Sequence, residues 1–146
     1  MGNAIDLLHD EHRQVDALFA EYDADGDGTV VDRIATALTR QNQLEERVIY
    51  PMVRERLPEG PVLVADAHRA HETIKSLLAE AEDSTPLALP DVFDELRIVV
   101  RRHTEVEESM LMPRLREVIG DAALEQLGAA VEQERASMLA LSDPGS

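Results

Sequence analysis

No cysteine and no tryptophan occur in these 146 residues, and the aromatic set is two Phe and two Tyr. Without thiols there is neither a disulfide framework nor a thiolate metal site, so a bound metal must be held by His, Glu, Asp or Tyr. Few aromatics and few β-branched runs leave a core of Leu, Val, Ile, Ala and Met, a palette that favours helices. Basic residues are scarce too: 14 Lys and Arg against 30 Asp and Glu give a net charge of −16. With no basic stripe to release counterions, neither nucleic acid nor an anionic membrane surface is expected as a partner. No apolar run approaches the ~20 residues of a membrane span. Asp6, Asp10 and Glu11 in the first helical stretch do not suit a signal peptide. The expectation is a cytoplasmic protein with a single domain over residues 1–146.

The stretch Glu21 to Val30, "EYDADGDGTV", places Asp23, Asp25, Asp27, Gly28 and Val30 as in the first two-thirds of an EF-hand calcium loop. The last ligand position of such a loop would be Ile34, which cannot ligate, and Asp32 lies two residues too early. The stretch has no second copy, whereas EF-hands normally work in pairs. It is read as an Asp/Gly turn between two helices, and calcium binding is not its function.

Apolar residues recur at helical spacing throughout. Helices are predicted over about 3–22, with Asn3 as N-cap, 31–57, 62–82, 91–119 and, shorter, 121–141. "PEGP" (Pro58 to Pro61), "DSTPLALP" (Asp83 to Pro90) and Gly120 supply the breaks. Four long helices joined by short loops predict an all-α, antiparallel up-down-up-down four-helix bundle, with a fifth helix closing one end.

An internal repeat carries the chemistry. "LEERVIYPMVRERL" from Leu44 lies over "VEESMLMPRLREVI" from Val106, matching Glu45 with Glu107, Glu46 with Glu108 and Pro51 with Pro113. "HDEHRQVDALFAE" from His9 lies over "HRAHETIKSLLAE" from His68, pairing His9 with His68 and His12 with His71. The chain thus reads as two helical hairpins of one pattern, which bury their apolar faces against each other. All five histidines, His9, His12, His68, His71 and His103, fall inside the repeat. His103 and Glu107 are four residues apart, about 40° around a helix, and so share a face. Imidazoles with carboxylates and no thiolate suit iron, manganese or zinc. Glu46 and Glu108, the second residues of each "EE", read as solvated surface. Pro51 and Pro113 read as kinks tolerated by packing.

"LLHDEHRQVDALF", "LEERVIYP", "HRAHETIKSLL" and "HTEVEESMLMP" resemble the successive motifs of the hemerythrin-like, or HHE cation-binding, family. The resemblance covers nearly all of the first four helices. It implies a four-helix bundle around a non-heme di-iron centre, two Fe ions bridged by two carboxylates and an oxo or hydroxo group. By that resemblance His12, His71 and His103 are metal ligands, Glu45 and Glu107 are the bridging carboxylates, and His68 is a second ligand from the third helix. The family usually spaces that last pair by four residues; here the spacing is three. A ferritin-like site is disfavoured, because the order here is His-x-x-x-Glu rather than Glu-x-x-His.

The family pattern and the repeat both call for a histidine at position 41, and the residue there is Gln41. His9, the repeat mate of His68, and Tyr50, beside Pro51, are the two candidates to fill that gap. A phenolate would hold ferric iron tightly and lower its potential, disfavouring reversible oxygen carriage. Alternatively, Gln41 holds a bound water and Tyr50 packs in the core. The expected function is reaction with dioxygen or hydrogen peroxide at a di-iron site, supplied by an electron donor. Oxidase or catalase-like turnover, reversible oxygen carriage, and iron storage or sensing are the readings that remain open.

Overall fold

In the computed structural model, residues 2–25 and 28–142 are described, and all their regular structure is helical. Helix α1 is Ala4–Asp25 and α2 is Gly28–Leu44. A π-helical turn, π1 (Glu45–Ile49), joins α2 to α3 (Tyr50–Arg56), so that residues 28–56 form the second rod. Helix α4 (Gly60–Asp83) is the third rod, and α5 (Leu89–Val106), π2 (Glu107–Leu111) and the start of α6 (Met112–Ser142) form the fourth. Rods adjacent in sequence pack side by side, which makes the predicted helical bundle. No helix among the described residues is long and apolar enough to cross a membrane.

Local signals place most of the ends. The Asp6 amide donates to Oδ1 of Asn3 at 3.0 Å, the N-cap bond predicted for α1. Pro58 and Pro61 bracket the turn after α3, and Ser84 ends α4 in extended backbone before the prolines at 86 and 90. The first loop is shorter than expected, because α1 continues through Asp23 to Asp25. Asp23 Oδ1 accepts from Arg97 at 2.6 Å, an ion pair that ties α1 to α5. Asp27, part of the calcium-loop pattern, lies outside the described residues. Ile34 is fully buried in the core, as an apolar residue of α2 should be.

Gly120 interrupts the last helix with φ 79° and ψ 173°, a left-handed φ that only glycine adopts cheaply. The chain beyond it turns back as the predicted fifth helix. Its Leu124, Leu127 and Val131 join the core formed by Ala4, Leu8 and Leu44. Arg135 reaches the buried Glu11 carboxylate of α1 at 2.6 Å. Gly128 permits the close approach, since a Cβ there would stand 2.8 Å from the Gly2 carbonyl oxygen.

The core has two parts. One contains Leu8, Ile49, Val64, Ala67 and Leu111, the other Val15, Leu38, Ile74, Leu96 and Val100. On every rod the boundary between them is polar. Leu8 and Val15 flank His12; Ala67 and Ile74 flank His71; Val100 and Leu111 flank His103 and Glu107; Leu38 and Ile49 flank Gln41 and Glu45. A helical stripe that should be continuously apolar is thus broken at one level in all four rods. Burying polar groups there costs free energy unless something satisfies them.

Candidate metal centre

The two π turns shape this level. The Tyr50 amide donates to the Glu45 carbonyl oxygen, and the Met112 amide to that of Glu107, each five residues back. Pro51 and Pro113 follow immediately. Each lacks the N–H that would close an α-helical bond to Arg47 or Ser109, and each ring crowds that carbonyl. The ladder widens instead of breaking. In a regular helix, residues five apart point about 140° away from each other. The wide turn brings Glu45 and Tyr50 to one side, and both are almost fully buried.

Four rods deliver six side chains to one place. His12 Nε2 lies 3.2 Å from Glu107 Oε1, and His71 Nε2 lies 3.1 Å from Glu45 Oε1. His103 Nε2 stands between the carboxylates, 3.6 Å from Glu45 Oε1 and 3.5 Å from Glu107 Oε1. The Tyr50 hydroxyl donates to Glu107 Oε2 at 2.8 Å, with the Nε2 atoms of His71 and His103 at 3.2 and 3.3 Å. Two trios have ligand atoms close enough to hold one ion each: His12, Glu45 and Glu107, and Glu45, His71 and His103. Glu45 belongs to both.

The electrostatics are those of a protonated cluster. Burial would lower His12, but the hydrogen bond to Glu107 and the charges of Glu107 and Glu45 outweigh it, raising the imidazole to about 9. His103 is likewise raised to about 9, against its burial, by Glu107 and Glu45. His71 is raised, again against burial, by Glu45. Burial would raise Glu45, but Glu107, His103 and His71 hold it well below the ordinary carboxylate range. Glu107 is pushed up to about 7 by its burial and by the neighbouring charge of Glu45. Burial, then the charges of Glu45 and Glu107, push Tyr50 well above its ordinary value, so it is a neutral phenol.

These residues fit a metal. The donors are imidazole nitrogen and carboxylate oxygen, the set that takes iron, manganese or zinc. The Nε2 atoms of His71 and His103 face each other at 3.1 Å. Glu45 Oε2 is buried with no hydrogen-bond partner among the described residues, as is Gln41 Oε1 one turn earlier. Buried polar atoms are normally paired; an ion bound by the deprotonated cluster would satisfy the carboxylate and separate the facing nitrogens.

Outside the cluster, each inner imidazole rests on a further carboxylate. His71 Nδ1 is 2.7 Å from Glu46 Oε1, and His12 Nδ1 is 2.7 Å from Glu108 Oε2. Glu46 also meets His68 Nδ1 at 2.7 Å, and Glu108 meets His9 Nδ1 at 3.1 Å. In these outer contacts the two halves of the internal repeat mirror each other.

The fold, the polar level and the mirrored halves match one family. Residues 3–115 match the hemerythrin HHE cation-binding domain. The chain belongs to that family. A hemerythrin HHE cation-binding domain-containing protein from Mycobacterium kansasii has a crystal structure similar to this one, with a TM-score of 0.79 and 25% identity over 100% of this chain and 96% of that one. A DNA nickase from Nostoc sp. (strain PCC 7120) is 28% identical over 131 residues, 85% of this chain and 36% of that protein. The chain spans about a third of that relative's length. As an HHE domain with a buried His/Glu cluster, the protein is a metal-binding domain.

The structure brings together His12, Glu45, His71, His103 and Glu107 from the sequence-derived ligand set. It leaves His68 out: the ring is turned to Glu46 and Arg54, with 44% of its side chain exposed. Three-residue spacing rotates it about 60° from His71 around α4, towards the solvent side. His9 also stays outside, on Glu108. Of the two candidates to fill the gap left by Gln41, it is Tyr50 that reaches the cluster. Glu46 and Glu108, read from sequence as solvated, are instead held between paired imidazoles. Their signal was the repeat itself, in which both glutamates of each "EE" recur.

Proposed function

We propose that this HHE domain holds a di-iron centre that consumes hydrogen peroxide or dioxygen rather than carrying oxygen reversibly. The observation that carries the reading is the membership of Glu45 in both donor trios, with the Tyr50 hydroxyl between them. Glu45 would be a donor to both ions. Bound iron would supply redox change and Lewis-acid polarisation of an oxygen substrate.

The protein supplies the rest. Glu46 and Glu108 accept from the Nδ1 atoms of His71 and His12, so that each Nε2 faces the cluster and would offer its lone pair once a metal displaced its proton. Glu107 accepts from the Tyr50 hydroxyl at 2.8 Å and so holds the phenol against the cluster. Leu8, Ile49, Ala67 and Val100 close the level above and below and limit bulk water. A reversible carrier needs an unoccupied, inert position next to one metal. Tyr50 puts an oxidisable phenol beside the His71, His103 and Glu107 donors, and position 41 carries an amide where the repeat calls for imidazole.

The test is anaerobic loading with ferrous iron, a metal count, and then addition of peroxide under an oxygen electrode. Close to two irons per chain and sustained peroxide loss are expected. Absorption bands that form under oxygen and vanish under vacuum, without turnover, would identify a carrier. Iron retained with neither behaviour would identify a storage or sensing module.

A further inference from the structure

A cavity of about 390 Å³ opens between α4 and α5, and His103 and Glu107 of the metal centre form part of its lining. Its walls are apolar and largely short: Leu63, Ala67 and Ala70 from α4, Val99 and Val106 from α5, and Leu111 from π2. Water occupies about 30 Å³ of liquid volume, and peroxide or dioxygen is of comparable size, so the cavity exceeds what those substrates need roughly tenfold. Its volume falls in the range of pockets that enclose organic ligands, about 300–1,000 Å³.

The rim narrows the chemistry. Arg69 and Arg102 stand at the cavity with Asp66 and Thr73. Asp66 pairs with Arg69. Arg102, exposed on α5, makes no ion pair with any described residue. In a chain of net charge −16, an unpaired guanidinium at the mouth of an apolar cavity is a local attraction for an anion. Its planar fork suits a carboxylate. We propose that this cavity is the binding site of a small organic carboxylate with an apolar body, its charge at Arg102 and its body against Ala67, Ala70 and Val99, next to the metal centre. The site places an organic ligand next to the peroxide- or dioxygen-consuming centre, and in that respect it deepens the function proposed above. Binding itself does not depend on the metals.

The experiment uses metal-free protein and three probes of one shape: benzoate, benzyl alcohol and benzylamine. Calorimetry measures affinity, and methyl chemical shifts of Leu63, Val99, Val106 and Leu111 report location. Saturable benzoate binding with shifts at these methyls is expected, with benzyl alcohol weaker and benzylamine weakest. Ala70→Trp, which fills the cavity, should weaken benzoate at least about tenfold, a loss of about 1.4 kcal/mol. Val106→Trp at the mouth serves the same purpose should Ala70→Trp not fold. Arg102→Gln should abolish the preference for benzoate over benzyl alcohol while leaving benzyl alcohol binding unchanged. Absence of saturable binding, benzoate affinity unaffected by filling the cavity, or equal affinity for all three probes would overturn the proposal. Any of these results would leave the iron count and peroxide assay standing, and failure of those assays would leave the probe binding standing.

Discussion

The Glu46 carboxylate lies 2.7 Å from His71 Nδ1, on the opposite side of the ring from the donor cluster. That contact fixes the tautomer and aims Nε2 inward, and Glu108 does the same for His12 at 2.7 Å. Outer carboxylates of this kind raise ligand basicity, and their loss typically costs about 10–100-fold in metal affinity. Glu46→Ala should therefore loosen an ion bound between Glu45, His71 and His103, and Glu108→Ala one bound between His12, Glu45 and Glu107, as the proposed two-metal centre requires. Competition against a graded series of chelators would resolve one weakened site in each variant. Unchanged affinity in both would mean that the imidazoles are oriented by packing alone.

The sharing of Glu45 gives an unequal pattern of metal loss. Glu45→Ala removes an oxygen donor from both trios and should abolish most metal binding. His12→Ala touches one trio and should leave about one tightly bound ion per chain. Elemental analysis after desalting reads the difference directly. Equal losses in the two variants would contradict the shared-carboxylate arrangement.

Without metal, the cluster makes stability depend on pH. His12 and His103 are raised from 6.5 to about 9, so their stabilising contribution is complete below about 6.5 and disappears as pH rises through 9. Glu107, raised from 4.5 to about 7, loses its contribution in the same direction over a lower window. Glu45 has the opposite sign, and its contribution fades only in acid. For a raised imidazole the change is on the order of 3 kcal/mol, and the shared partners keep the imidazoles from adding independently. Thermal melts of chelator-treated protein should show Tm falling between pH 6.5 and 9. Metal affinity should rise over the same interval, because the metal displaces those protons. A metal-free Tm that is flat or rising there would show that the imidazoles are neutral in the fold.

The readable part of the centre followed from period and repeat. His12, His71, His103, Glu45 and Glu107 stand at core positions of regular helices, where a 100° rotation per residue decides the face. The same rotation failed at Tyr50, because π1 inserts an additional residue that no periodic pattern contains. Pro51 and Pro113 were the visible trace of that insertion: a proline six residues after a buried carboxylate, twice. Glu46 and Glu108 were misjudged for a different reason. A glutamate at an outer position looks like any solvated glutamate until the histidine it meets is known to have a second nitrogen to satisfy. The cavity beside His103 had no signature at all, since Ala67 and Ala70 read simply as good helix formers.

Position 41 is where the two halves of the molecule differ most in chemistry. Gln41 of α2 is buried one turn before Glu45, and its Oε1 has no partner among the described residues; His103 of α5 likewise stands one turn before Glu107. Gln41→His should replace an orphaned amide oxygen and add an imidazole to the donor cluster in the mirror of the His103 position. On the proposed di-iron reading, metal should then be held more tightly, the ferrous form should be favoured, and peroxide turnover should fall. Tyr50→Phe separates the contributions. It keeps the ring in the core and removes the hydroxyl that meets Glu107 at 2.8 Å. If the phenol is needed for turnover, Tyr50→Phe alone should lower it and remove any visible phenolate band, and the double variant should show the longest-lived oxygen complex. His9→Ala provides the control: with its ring on Glu108 outside the cluster, it should cost little iron in either background. If Gln41→His changes neither metal affinity nor spectrum, the amide does not face the ions, and the correspondence between the two hairpins ends one turn short of Glu45.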